Sequence, residues 1–229
     1  PWIGYFDLIS DADVVVFLND VQFEKRSWQQ RNKIVTNNGL EWITIPVKVK
    51  GKRSQLIKDV QINKEEVNFN KIKKKIIQNY SNSKYFANYE KEFFDIFKEK
   101  LNQSNLIELN LSLILWVMKI LKIKKKIYLS SDFSSKNKST KKIIDICKTL
   151  NSKDYLSTIG SKSYLEKDIE ILKKIDLNIF FHNYKHPKYR QCFKFFFEYA
   201  SVIDLIFNEG LNSFKIIKSG NLKYTKLKI

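Results

Sequence analysis

The chain has 229 residues, 43 % hydrophobic and 14 % aromatic, which excludes a disordered tail and leaves enough apolar material for a real core. Its formal charge of +18 is carried almost wholly by lysine, in runs scattered between core-type residues. A nucleic-acid face would instead pair clustered arginine with stacking aromatics, so nucleic acid is not an expected partner, while anionic small molecules fit the charge. The most apolar stretch, LSLILWVMKILKI at 111–123, is interrupted by Lys119 and is shorter than the roughly 20 residues a bilayer span needs. With no transmembrane segment, no signal peptide and two distant cysteines (Cys147 and Cys192), the expected setting is cytoplasmic.

Val14–Leu18 is a continuous β-branched run, the pattern of a strand buried on both faces. Asn37-Asn38-Gly39 predicts a turn, Trp42–Val47 a strand running through Pro46, and Lys58–Ile62 a third short strand. From Glu65 to Ile123 the apolar spacing becomes helical, with Asn102–Asn105 as a loop carrying a helix cap. An α/β rhythm then returns: strand Ile127–Ser131, helix Thr140–Leu150, strand Asp154–Leu156, helix Lys167–Ile175, strand Asn178–Phe181, and helix Tyr199–Asn208 closed by Gly210. The predicted fold is α/β, a mostly parallel sheet core with a helical subdomain in the middle of the chain. Residues 1–64 form its N-terminal part, 65–125 the helical subdomain, and 126–229 the C-terminal part completing the same domain. The chain opens on Pro1-Trp2 and reads as a fragment whose first strand precedes it.

Arginine is rare: Arg26, Arg31, Arg53 and Arg190 are the four in the chain, and two lie five residues apart beside Trp28. A guanidinium is a planar fork of donors matched to phosphate or carboxylate, which a lysine ammonium cannot copy. Arginine, proline, glycine and histidine fall in the first quarter and the last third, and the helical middle has none. That distribution predicts a site built from the two ends and braced by the middle.

Four segments carry candidate chemistry. In LNDVQFEKRSWQQRN, Asp20 and Gln22 follow a strand end, where parallel α/β sheets place ligands. Asp20 suits a general base, a hydroxyl-binding carboxylate or a metal ligand. Lys25, Arg26 and Arg31 suit a diphosphate or carboxylate, Trp28 a stacked ring, and Asn32 a further polar contact. The bland alternative is a solvated turn with Asp20 capping a helix. In STIGSKSYL, Ser157 and Ser161 flank a loop glycine and either cradle an anion or cap a helix. In FFHNYKHPKYRQCFKFF, polar and aromatic residues alternate around His186, with Tyr184, Tyr189 and Gln191 beside it. His186 is a candidate acid or base that Asp20 would orient, or else a hydrogen-bonded turn histidine. His182 and His186 have helical zinc spacing, but Pro187 interrupts a helix there and no HExxH pattern exists, so no metal is expected. Asp204, among the apolar residues of SVIDLIFNEG, needs a partner, and an arginine is expected to supply it. No cofactor fingerprint is present.

These stretches, PWIGYFDLI, DVVVFLNDVQFEKRSWQQRNKI with WITIPV, YLSTIGSKSYL, and YKHPKY followed by SVIDLIFNEG, resemble the WbqC-like family. The resemblance implies a polar QPNY-like segment before the PW pair, so site residues from it are not assignable here. Family members occur in clusters for O-antigen and other surface-polysaccharide synthesis. The resemblance therefore implies a protein acting on a nucleotide- or lipid-linked sugar, or on an activated acyl or aminoacyl group destined for an amino sugar. The first expectation is a transferase with His186 as base. The second is a non-catalytic module that binds sugar nucleotides or polyanions in an assembly complex.

Overall fold

In the computed structural model, which describes residues 1–52 and 54–228, the chain is a mixed α/β protein. Helix α1 (Ile3–Asp11) leads into β1 (Val14–Phe17), and β2 (Arg31–Thr36) and β3 (Gly39–Thr44) form an antiparallel hairpin. Gly39 sits at φ +101°, the left-handed conformation that the Asn37-Asn38-Gly39 signal anticipates. Three helices follow: α2 (Phe69–Tyr80), α3 (Phe86–Asn102) and α4 (Leu106–Ile120). Asn68 and Asn105 cap α2 and α4 by accepting from the Lys71 and Ile107 N–H groups.

Beyond the helices come β4 (Lys126–Leu129), α5 (Ser139–Thr149), β5 (Asp154–Thr158), the short helices α6 (Lys162–Lys167) and α7 (Ile169–Leu172), and β6 (Asn178–His182). Helices α8 (Val202–Glu209) and α9 (Ser213–Ser219) and strand β7 (Thr225–Lys226) complete the described chain. Gly210 ends α8 at φ +54°, and a Cβ there would lie 2.7 Å from the Tyr85 ring, so both conformation and space select glycine.

Three small sheets replace the single sheet core that the sequence suggests. Among the described residues parallel pairing is confined to β1 with β4 and β5 with β6; β2–β3 and β6–β7 are antiparallel. β1 is only half-buried along its length, because it has one neighbour where a strand buried on both faces would have two. The segment expected as a third strand is a 3₁₀ turn, Ile57–Asp59, flanked by single bridges from Gln61 to Asn105 and from Ile62 to Val47. The apolar run there packs sideways onto α4 instead of extending a ladder. Asp168 splits the helix expected over Lys167–Ile175 into α6 and α7.

The largest core cluster takes Ile3 and Phe6 of α1, Ile34 of β2, Phe93 and Trp116 of the middle helices, and Leu205 and Phe207 of α8. The helical middle therefore buries its apolar face against elements from both ends of the chain. A separate cluster under β5 and β6 holds Ile143, Leu165, Ile179 and Phe181. No helix of the described residues is long and apolar enough to cross a membrane.

Candidate functional site

A cleft of about 1940 Å³ runs between β1 and β5, and every residue of both strands lines it. Each of these strands has a partner on one side only, so their free edges turn backbone donors and acceptors toward the cleft. Gln22, Trp28, Arg31 and Asn32 contribute from one rim, and Ser157, Gly160 and Ser161 from another. Residues more than a hundred positions apart thus share one space.

The first rim is a compact turn held by glutamines. Arg26 adopts φ +62° and its N–H donates to Gln30 Oε1 at 3.0 Å. Gln30 Nε2 in turn donates to the Ile45 carbonyl at 3.2 Å, which anchors the turn to the end of β3. Arg31 then opens β2 with its guanidinium 4.1 Å above the Trp42 ring. Lys33 lies 4.9 Å over the same ring, and Trp28, 58 % exposed, leans on Trp42 at 5.1 Å. The Arg31 Nε is buried without a partner among the described residues. Asn32 Oδ1 accepts from the Lys33 N–H at 2.7 Å, while Lys25 and Arg26 are exposed.

Asp20 stands where β1 ends, and its partners come from the neighbouring strand and the helix behind it. Lys142 of α5 donates to Asp20 Oδ2 at 2.5 Å, and Ser130, directly after β4, donates to Oδ1. Asn19 completes the network, donating from Nδ2 to Ser131 Oγ at 2.8 Å and accepting from the Ser131 N–H at 2.9 Å. Burial pushes the Asp20 carboxyl up, but the Lys142 and Ser130 hydrogen bonds and the ammonium charge outweigh it and hold Asp20 below the usual carboxylate range.

Asp20 and His186 are not brought together. His186 is boxed by Trp2, Tyr189, Phe196 and Tyr199, with ring centroids 5.3–6.3 Å away. Its Nδ1 donates to the Pro187 carbonyl at 3.0 Å, so Nε2 carries the lone pair, buried and without a partner among the described residues. Burial lowers its pKa against the opposing pull of the Pro187 carbonyl and Glu198. Trp2 and Tyr199, which cover the ring, both line the cleft, and Tyr199 is held at φ +62°. The expected Asp20–His186 pair is thus replaced by two environments, because the carboxylate already has a fixed cation and the imidazole belongs to an aromatic box.

Three other predicted binding residues are engaged in holding the fold. Tyr189 OH and Gln191 Nε2 both donate to Asp204 Oδ2, at 2.7 and 2.9 Å, and Tyr184 OH donates to the Ile217 carbonyl at 2.9 Å. Asp204, fully buried, therefore rests on neutral donors and not on the expected arginine. Burial pushes its pKa up to about 6 despite the bonds from Tyr189, Gln191 and Tyr80. On the second rim, Ser157 and Ser161 share a hydroxyl–hydroxyl hydrogen bond of 2.7 Å beside the cleft.

With this geometry in hand, comparison with known proteins is decisive at the level of family. The profile of the WbqC-like protein family matches residues 1–216. The chain belongs to the WbqC-like family. It is 30 % identical over 212 residues to the uncharacterized protein Rv1507c of Mycobacterium tuberculosis, covering 92 % of this chain and 90 % of that one. No solved structure matches.

This WbqC-like protein holds two polar clusters that reading along the sequence missed. One is Asn19–Asp20–Ser130–Ser131–Lys142; its signal was the Ser130-Ser131 pair following β4 just as Asn19-Asp20 follows β1. The other is Asp7, Asp11 and His182, whose ligand-type atoms lie within 4.8 Å of one another. There the cation is internal: Lys218 Nζ is 2.8 Å from Asp7 and 2.5 Å from Asp11, while His182 Nε2 lies 2.7 Å from Asp7. Asp7 is on α1 and Lys218 on α9, so the cluster ties helices from the two ends of the described chain. Cys192 does not stand free, since its Sγ is 2.7 Å from Ser83 Oγ, and burial raises both cysteine pKa values.

Proposed function

We propose that this WbqC-like protein is a transferase of surface-polysaccharide biosynthesis, O-antigen type, that acts on a nucleotide- or lipid-linked sugar, with N-acylation of an amino sugar as the reaction class. The observation that carries this reading is the single cleft lined by Gln22, Trp28, Arg31 and Asn32 together with Ser157 and Ser161. A partly unpaired guanidinium beside two exposed tryptophans suits a diphosphate and an attached planar ring. The serine pair and the free strand edges suit sugar hydroxyls. His186 supplies the proton acceptor through its Nε2 lone pair, which lies behind Trp2 and Tyr199 of the cleft wall. In the N-acylation, the sugar amine nitrogen bonds to the acyl carbon, Nε2 takes the amine proton, and the carrier leaves with the bonding electron pair.

A second reading, a non-catalytic sugar-nucleotide or polyanion-binding module, is favoured by the separation of Asp20 from His186. A thermal-shift panel of UDP-N-acetylglucosamine, dTDP-glucose, acetyl-CoA and duplex DNA separates the alternatives. The transferase reading expects stabilisation by a sugar nucleotide, roughly tenfold weaker binding in Arg31→Lys, and loss of turnover in His186→Ala. Binding without turnover, indifferent to His186, selects the module; stabilisation by DNA alone discards both.

A further inference from the structure

We propose that the first turn of α5, together with Lys142, forms a phosphate-binding site distinct from the Arg31–Trp28 rim. Lys142 is the one lysine among the described residues that is buried, at 6 % exposure, in a chain whose other lysines lie at or near the surface. An ammonium has three donors. Asp20 takes one, and the others have no acceptor among the described residues. Such a group is costly to bury, so unfilled donors on it point to a ligand.

A second orphan lies in the same turn. Thr140, 1 % exposed, has a buried hydroxyl with no partner among the described residues. The turn itself is uncapped: Lys138 at the N-cap makes no side-chain bond, no acidic residue occupies the first turn, and the Ser139, Thr140 and Lys141 N–H groups have no acceptor among the described residues. Helix α5 has 11 residues, long enough for its N-terminal partial charge to matter. The connection from β4 that delivers this turn, SSDFSSKNKSTKK, is rich in hydroxyls and lysines. It is pinned to α5 by Asp145, which accepts from Ser135 Oγ at 2.6 Å and Asn137 Nδ2 at 2.8 Å. Asp145 is thereby occupied by these two donors, although the Lys142 charge still helps to hold its carboxyl down.

Asp20 and Ser130 complete the picture by position. They follow the parallel strands β1 and β4, so Lys142 is steered to the carboxyl ends of a parallel pair, where α/β proteins place phosphate. Asp20 is a positioning residue here: it fixes the ammonium, and its own charge keeps the site neutral until a dianion arrives. The ligand class is a phosphoryl oxyanion, either free phosphate or the phosphoryl group of a larger substrate. The site does not depend on the sugar-nucleotide reading.

Isothermal titration of the full chain with inorganic phosphate, inorganic pyrophosphate and UDP-N-acetylglucosamine tests this. Saturable one-site binding of phosphate or pyrophosphate is expected, weakened roughly fivefold in Thr140→Val and at least roughly tenfold in the charge-neutral double variant Asp20→Asn/Lys142→Gln. The double variant leaves no unpaired buried charge, and Thr140→Val preserves shape, so folding is retained in at least one arm; circular dichroism identifies it. Lys124→Gln, an exposed lysine elsewhere, should bind as the parent does. Absence of saturable binding in the parent, parent-like affinity in the folded variants, or equal weakening by Lys124→Gln overturns the site. Phosphate binding without UDP-sugar binding keeps the site and sinks the nucleotide reading, while UDP-sugar binding that the folded variants retain at parent strength sinks the site alone.

Discussion

Asp20 and Asp204 are both carboxylates drawn away from bulk water, yet the two regions hold them by opposite means. At the end of β1, Asp20 faces the Lys142 ammonium at 2.5 Å and is kept ionised. In the first turn of α8, Asp204 has only neutral donors and is pushed up to about 6. A charged partner offsets desolvation of the anion, whereas phenol and amide dipoles offset it in part. The β1–β4 end is thus built to keep its carboxylate ionised well into acid, and the α8 region to hold a carboxyl that releases its proton only as pH nears 6.

The sharpest way to break this comparison is Asp20→Ala, which strands the Lys142 ammonium. A loss of about 4 kcal/mol is expected by urea denaturation at pH 7. If the loss is under about 1 kcal/mol, Lys142 is not confined as its 7 % side-chain exposure indicates. Next in size is the pH dependence from Asp204. A folded pKa of about 6 against 3.8 means the folded state binds the proton more tightly, so this contribution is fully present below about pH 4 and is lost as pH rises through 6. The difference of about 2 units corresponds to about 3 kcal/mol. Asp204→Asn should remove that slope between pH 4 and pH 7, while Asp20→Asn should alter stability in the opposite sense, by abolishing a contribution lost in acid.

Smaller still is Tyr80→Phe. The Tyr80 hydroxyl accepts from the buried Val35 N–H at 2.9 Å and helps to hold the Asp204 carboxyl down, so its removal should cost about 2 kcal/mol. It should also raise the Asp204 titration further, which carboxyl NMR shifts would register. The smallest effect on folding belongs to the cleft rim. Trp28→Ala should leave stability within about 0.5 kcal/mol, because the ring is mostly exposed. A weakened response to UDP-N-acetylglucosamine in that variant, with stability unchanged, would mark the ring as serving a ligand and not the fold.

Much of this was written in local sequence. The Asn37-Asn38-Gly39 turn, the helix cap carried by the Asn102–Asn105 loop, the helical spacing of the middle third and the stop at Gly210 each depend on residues within one turn of one another, and each is found. The scarcity of arginine marked Arg31, and the family motifs marked both rims of the cleft. What the chain could not disclose along its length is who meets whom. Asp20 reads as a partner for His186 because both are polar residues near strand ends, but Lys142, 122 positions away, reaches it first. Asp204 was expected to take an arginine and took Tyr189 and Gln191. His182 passed as a neighbour of His186, and the fold turned it onto Asp7 of α1. Strand and helix formation follow from short-range periodicity, so they are legible residue by residue. The pairing of buried charges depends on which surfaces close over one another and what that closure desolvates, and only the assembled fold decides it.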